Sequence, residues 1–221
     1  MNRTLRLASA ALLAAPLLLL APACSSTRIA LAEQFGYAKR EQLVSRVEDA
    51  RDGQEQAKQQ FESALAEFIA VTGATDAELE SKYNKLKKEL DRSESRADAV
   101  HDRIRSVENV GEALFKEWNK ELDQYQSASL RTQSEQQLRA TCDKYDRMVD
   151  AMKTAASKMD PVLAAFNDQV LYLKHNLNAR AVAALQGNVS ELQGEISALV
   201  AEMEASIAEA NSFIEGMKEP S

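Results

Sequence analysis

Residues 61–90 read "FESALAEFIAVTGATDAELESKYNKLKKEL". The stretch changes character once, at Thr72-Gly73-Ala74-Thr75. Before that break come Phe61, Ala64, Phe68 and Val71, and after it Leu79, Tyr83, Leu86 and Leu90. Apolar residues returning every three or four places form one stripe along an α-helix, and such a stripe needs partner helices to cover it. Gly73 is a poor helix residue, and Thr75 with Glu78 three places on has the form of a capping box. The stretch therefore predicts two helices folded back on each other at residues 72–75.

The same rhythm runs outward in both directions. Upstream it continues through Leu43, Val47, Ala50, Gln54 and Ala57; downstream through Ser93, Ala97, Val100, Ile104, Val107, Gly111, Leu114 and Trp118. A third run goes from Leu138, Cys142, Tyr145, Val149 and Met152 to Phe166, Val170, Leu173 and Leu177. Ser127-Ala128-Ser129 marks a second break, with Thr132 and Glu135 as a capping box, and Gly187-Asn188 a third. Beyond it a new stripe carries Leu192, Ile196, Leu199, Met203, Ala210 and Phe213. Good helix formers dominate, and nothing alternates like a strand. The fold class is all-α: an elongated antiparallel coiled-coil helical bundle of three to four long helices. One domain spans 28–217, with helices at about 28–72, 76–127, 132–186 (kinked near Pro161) and 189–217.

If the first hairpin turns at 72–75, Gln54, the polar member of its seam, meets Ser93. Such a buried polar layer fixes register at some cost in stability. In the second hairpin Trp118 faces Tyr145, and Gly111, a gap in the seam, faces Met152. Two arrangements stay open for residues 189–217. Folded back, their stripe is buried within the chain. Projecting, it is exposed and implies a homo-oligomer or a protein partner through the C-terminal helix.

The N-terminus supplies an address. Arg3 and Arg6 precede an apolar run from Leu7 to Ala21, too short to span a bilayer and suited to an export signal, residues 1–23. Ala21-Pro22-Ala23 fits ordinary signal cleavage, whereas Cys24 followed by Ser25-Ser26-Thr27 fits a bacterial lipoprotein signal, although Leu20 stands four before the Cys and Ala21 three. Acylation of Cys24 would give lasting membrane attachment, since two or more chains are needed for a stable anchor. Residues 24–27 then form a tether of about 10 Å, and Ser25 favours the outer membrane. The alternative is a soluble periplasmic protein, in which a Cys24–Cys142 bridge becomes open.

Losing residues 1–23 removes Arg3 and Arg6 and moves the net charge from −7 to −9. That argues against nucleic acid, whose binding rests on Lys and Arg. Chemistry is sparse. Asp98 and His101 have the spacing of one half of a di-metal bundle site, but no second pair joins them. Cys142 reads as a small seam residue. No cofactor is expected. Lys174, His175, Asn176, Asn178 and Arg180 crowd two turns and form a weak interaction patch, or simply a solvated face.

The stretches "YAKREQLVSRVEDARDGQEQAKQQFESAL" (37–65) and "DPVLAAFNDQVLYLKHNLNARAVAALQG" (160–187), with "YNKL", "LFKEW" and "SASLR" between them, resemble the bacterial domain-of-unknown-function family 2959. The resemblance implies a lipoprotein-type signal ahead of a coiled-coil body, and no activity. The expectation is a non-enzymatic envelope scaffold or adaptor; the alternative is a periplasmic carrier or holdase for lipid or unfolded chain.

Overall fold

The computed structural model describes residues 39–218. The signal at 1–23, the Cys24 anchor, the tether and the expected helical stretch 28–38 lie outside those residues. Five α-helices follow: α1 (Lys39–Thr72), α2 (Asp76–Glu121), α3 (Ala128–Ser157), α4 (Met159–His175) and α5 (Ala179–Lys218), with a 3-10 turn at Leu122–Gln124. No strand occurs among the described residues. The protein is an all-α helical bundle whose longest helix, α2, extends about 70 Å at 1.5 Å per residue.

Each of α1, α3 and α4 packs against both α2 and α5, so four antiparallel rods enclose one core, α3 and α4 forming a single interrupted rod. The stripe read in α1 is buried throughout, from Leu43 to Val71. In α2 the buried set runs from Leu79 to Gly111, with Tyr83, Leu114 and Trp118 half-buried. α5 folds back, so Leu192, Ile196, Leu199, Met203, Ala210 and Phe213 are covered within the chain. The projecting alternative is thereby set aside, and that stripe is not a surface for a partner.

The first turn forms as expected: the Glu78 carboxylate accepts from the Thr75 backbone N–H (3.1 Å) and hydroxyl (2.7 Å). Two other boundaries move. α2 ends at Glu121, not 127, and α3 begins at Ala128, not 132. Ser127 is its cap, accepting from Leu130 N–H at 3.4 Å, while the Thr132 hydroxyl donates back to the Ala128 carbonyl. The third rod ends at His175 instead of 186, and Asn178 opens the fourth, its Oδ1 accepting from the N–H groups of Arg180 (3.0 Å) and Ala181 (3.1 Å). Gly187-Asn188, expected as the break, lies inside α5. Asparagine is among the best N-caps, and its short amide captures the first free amide hydrogens of the helix, whereas Gly187 offers no such group.

Near Pro161 the rod is interrupted at Lys158 alone. Lys153 of α3 pairs with Glu108, and Asp160 of α4 lies 3.7 Å from His101, so both segments follow α2 in one antiparallel sense. Pro161 sits in the first turn of α4, where a missing N–H costs nothing. The interruption is a kink and not a hairpin.

Both expected registers slip. Gln54 and Ser93 are fully buried but bond elsewhere. Gln54 Oε1 accepts from the Ser206 hydroxyl of α5 at 2.8 Å, and its amide nitrogen points to the Met152 carbonyl at 3.5 Å. Ser93 donates to the Glu89 carbonyl of its own helix at 2.8 Å. The cross-helix pairs Ser63–Glu89 and Gln56–Arg96 place the residue opposite Gln54 on the turn after Ser93. In the second hairpin Tyr145, not Met152, fills the gap at Gly111, and Trp118 instead gives its indole N–H to Ser134 at 2.9 Å. The second slip follows from a loop that closes at Ser127 instead of near Thr132, whereas the first occurs although its turn closes at 72–75 as the spacing suggested.

Candidate functional site

The four rods differ in length, and the core is incompletely filled where they end together. α2 carries its seam on to Leu114 and Trp118, which are only half-buried. Around them stand Arg40 from the start of α1, Gln137 and Thr141 from α3, and Met217 from the last turn of α5. With Glu117 and Glu121 they enclose a cleft of about 230 Å³.

Its entrance is pinned. Arg40 donates from Nε (3.1 Å) and Nη2 (2.5 Å) to the Met217 carbonyl. That carbonyl is among the last of α5, which have no helical partner, and a cation there also meets the negative end of the helix dipole. Lys39 reaches the Glu117 carboxylate at 2.7 Å. The Thr141 hydroxyl is spent on the Gln137 carbonyl at 2.8 Å. What remains is a pocket with apolar walls from Leu114, Trp118 and Met217 and an acidic rim. Sites for drug-sized ligands run about 300–1,000 Å³, so this cleft suits a small apolar group.

Just inside lies an aromatic cluster. The Tyr145 ring meets Phe115 edge-on at 5.0 Å and Phe213 at 6.1 Å. Its hydroxyl donates to the Val107 carbonyl at 3.4 Å. Burial, reinforced by Glu108 and other acids nearby, pushes the phenol well above its usual value, so it stays protonated. Cys142 is free and half-buried; burial, then Asp146 and Asp143, push its thiol up. It is not an activated nucleophile, because the thiolate is the reactive form.

Among the described residues no three His, Cys, Asp or Glu side chains are placed to hold a metal ion. His101 lies near Asp160 of α4, not in a cluster with Asp98. Among the same residues no helix is long and apolar enough to cross a membrane.

The weak patch is brought together, but as a turn. Lys174, His175, Asn178 and Arg180 are exposed around the link from α4 to α5. Asn176 gives its amide to the Tyr172 carbonyl at 2.9 Å, and Asn178 is the cap already described. Leu177, read as a seam residue, is exposed there with Leu171 and Tyr172. Sequence reasoning did not single out Glu89, a buried acid whose carboxylate accepts from Gln60 (2.6 Å), Ser63 (3.3 Å) and Arg92 (2.6 Å). Its place beside the seam, three residues before Arg92, was the available signal.

No curated protein and no solved structure matches the chain. A family model does, described as a protein of unknown function, DUF2959, and it aligns with residues 29–217. The match covers the whole bundle and more than half of the sequence, and the chain therefore belongs to the DUF2959 family.

Proposed function

We propose that the protein is a lipid-anchored rod of the bacterial envelope, acylated at Cys24 in the outer membrane, facing the periplasm and acting as a scaffold or adaptor without catalysis. The carrying observation is how the start of α1 and the end of α5 are tied. Arg40 binds the Met217 carbonyl and Lys218 binds Glu48 at 2.7 Å, so α1 begins and α5 finishes at one end of the bundle. A chain fixed through Cys24 joins the body at that end, and the rest of the rod is free to stand away and present its sides.

The carrier reading draws on the end cleft. At about 230 Å³, and with about 30 Å³ per water in the liquid, it has room for several waters and not for a whole lipid. That favours the scaffold. The test replaces Cys24 with serine and follows labelled palmitate and fractionation, with cross-linking in intact cells as the second arm. The proposal expects label and membrane attachment to be lost together and discrete protein adducts along the rod. Unchanged fractionation would remove the anchor, and stoichiometric co-purifying lipid would favour the carrier.

A further inference from the structure

The turn between α4 and α5 overtops the other hairpin. Gln186, seven residues beyond Ala179 at the start of α5, donates to the carbonyl of Thr72, the last residue of α1, at 2.8 Å. The start of α5 thus stands about 10 Å beyond the end of α1 at 1.5 Å per residue. On this convex tip Leu171, Tyr172 and Leu177 are 49, 41 and 42 % exposed, three of the six large apolar side chains left bare among the described residues. Beside them Lys174, His175 and Arg180 are exposed. The Lys174 ammonium and the Arg180 guanidinium make no hydrogen bond or ion pair among the described residues.

The charge of the tip runs against that of the chain. Residues 169–190 hold no Asp or Glu, the longest such run after Glu33, in a sequence with 34 acids against 27 Lys and Arg. Lys174 lies in the last turn of α4, where a cation meets the negative end of the helix dipole. Arg180 lies in the first turn of α5, where the dipole disfavours a cation and no acid offsets it. Neither the bare leucines nor that arginine serves the fold, so both point to something outside the chain. Asp168 marks the lower edge of the tip, and Asp76 and Glu78 open α2 beside the end of α1. That puts the last two about one Debye length behind the turn, since the length is about 8 Å at physiological ionic strength.

We infer that this tip docks on an anionic lipid surface, Leu171, Tyr172 and Leu177 entering the headgroup layer while Lys174 and Arg180 stay at the lipid phosphates. Six side chains on a convex knob are few for a protein interface, which takes about 20–30 residues a side. They suit a headgroup layer, where apolar and aromatic side chains enter and long cationic ones reach back to the phosphates. Each cation beside an anionic leaflet strengthens binding only about fivefold, so the contact is reversible and sensitive to salt. The tip lies at the other end of the rod from Arg40 and Met217. The inference rests on the tip alone and holds with or without an acyl chain on Cys24.

The test uses the full-length chain as cells process it, purified in detergent, with a photoreactive benzophenone side chain in place of Ala179, which is exposed beside Arg180. It is mixed with an excess of vesicles, either of phosphatidylcholine alone or of phosphatidylcholine and phosphatidylglycerol in equal parts. After irradiation, lipid adducts at position 179 are read by mass spectrometry. A lipid anchor would hold the chain on both kinds of vesicle, so the adducts alone report the tip, and the Cys24→Ser chain should give them too. The expected result is about tenfold more adduct with the anionic vesicles, falling as salt is raised. Lys174→Glu with Arg180→Glu, and separately Leu171→Ser with Leu177→Ser, should each cut the yield about tenfold, with circular dichroism showing that the helices persist. Arg180→Glu should at the same time raise the thermal midpoint, because an acid suits the first turn of α5, whereas loss of an arginine that served the fold would lower it. Equal yields on neutral and anionic vesicles, no adduct on either, or yields indifferent to the charge reversal would overturn the inference. So would irradiation in intact cells that gives a discrete protein adduct at position 179 and no lipid.

Discussion

Tyr145 fills the notch that Gly111 leaves in α2: a Cβ at position 111 would stand 2.5 Å from the Tyr145 hydroxyl and ring. The ring cannot swing away freely, because Phe115 and Phe213 flank it and its hydroxyl is bonded to the Val107 carbonyl. Alanine at 111 gains about 1 kcal/mol of helix propensity but overpacks a filled site, typically a loss of about 1–3 kcal/mol. Gly111→Ala should therefore destabilise on balance. Gly194, with nothing within 4 Å of its would-be Cβ, is the control. Gly194→Ala should stabilise by about 0.5–1 kcal/mol. Urea melts of the two variants check the opposite signs.

The buried amide of Gln54 and the hydroxyl of Ser206 satisfy each other at 2.8 Å. Gln54→Leu alone strands the serine and should cost about 1–3 kcal/mol, whereas Gln54→Leu with Ser206→Ala removes both polar groups and should recover most of that loss. A double-mutant cycle should give coupling of about 0.5 kcal/mol or more for 54 with 206. The cycle for 54 with 93 should give much less, since Ser93 bonds within its own helix.

Asn178 holds the first turn of α5, so Asn178→Ala should cost about 1 kcal/mol. Gly187 is inside the helix with open space around it. Gly187→Ala should accordingly raise the thermal midpoint. A drop on Gly187→Ala, with Asn178→Ala neutral, would move the turn back to 187–188.

The Cys142 thiol should alkylate slowly at neutral pH. Its pKa lies above that of a free thiol, about 8.5, because burial and two nearby aspartates disfavour the thiolate. The rate against pH should reach half-maximum above the free-thiol value. Iodoacetamide kinetics followed by mass spectrometry provide the check, and a half-maximum at or below the free-thiol value would contradict the burial argument.

Seam membership was legible along most of the chain because it depends on local spacing. Phe61, Phe68, Leu86 and Ile196 are buried for the reason their spacing implies. Register was less legible, since it depends on which residue closes each loop. Ser127 competes with Thr132 for one helix start, and Asn178 with Gly187 for another, and a single side chain's hydrogen bond decides each case. Asn176 and Asn178, which the sequence groups with a polar patch, also shape the turn: Asn176 gives its amide to the Tyr172 carbonyl and Asn178 caps α5. The end cleft was not legible, because Leu114 and Trp118 are half-buried only by virtue of where the other rods stop.

The central claim is that α5 returns along α1 and closes the bundle, placing Arg51 Nη1 3.1 Å from Asn211 Oδ1. Spin labels at positions 51 and 211, with Cys142 replaced by serine, measure it directly. Neighbouring helices sit about 8–10 Å apart, so a narrow distribution at the short end of the measurable range is expected. A helix projecting beyond the bundle would put the labels roughly 80 Å apart at 1.5 Å per residue, and a population at that distance would contradict the closed four-rod fold.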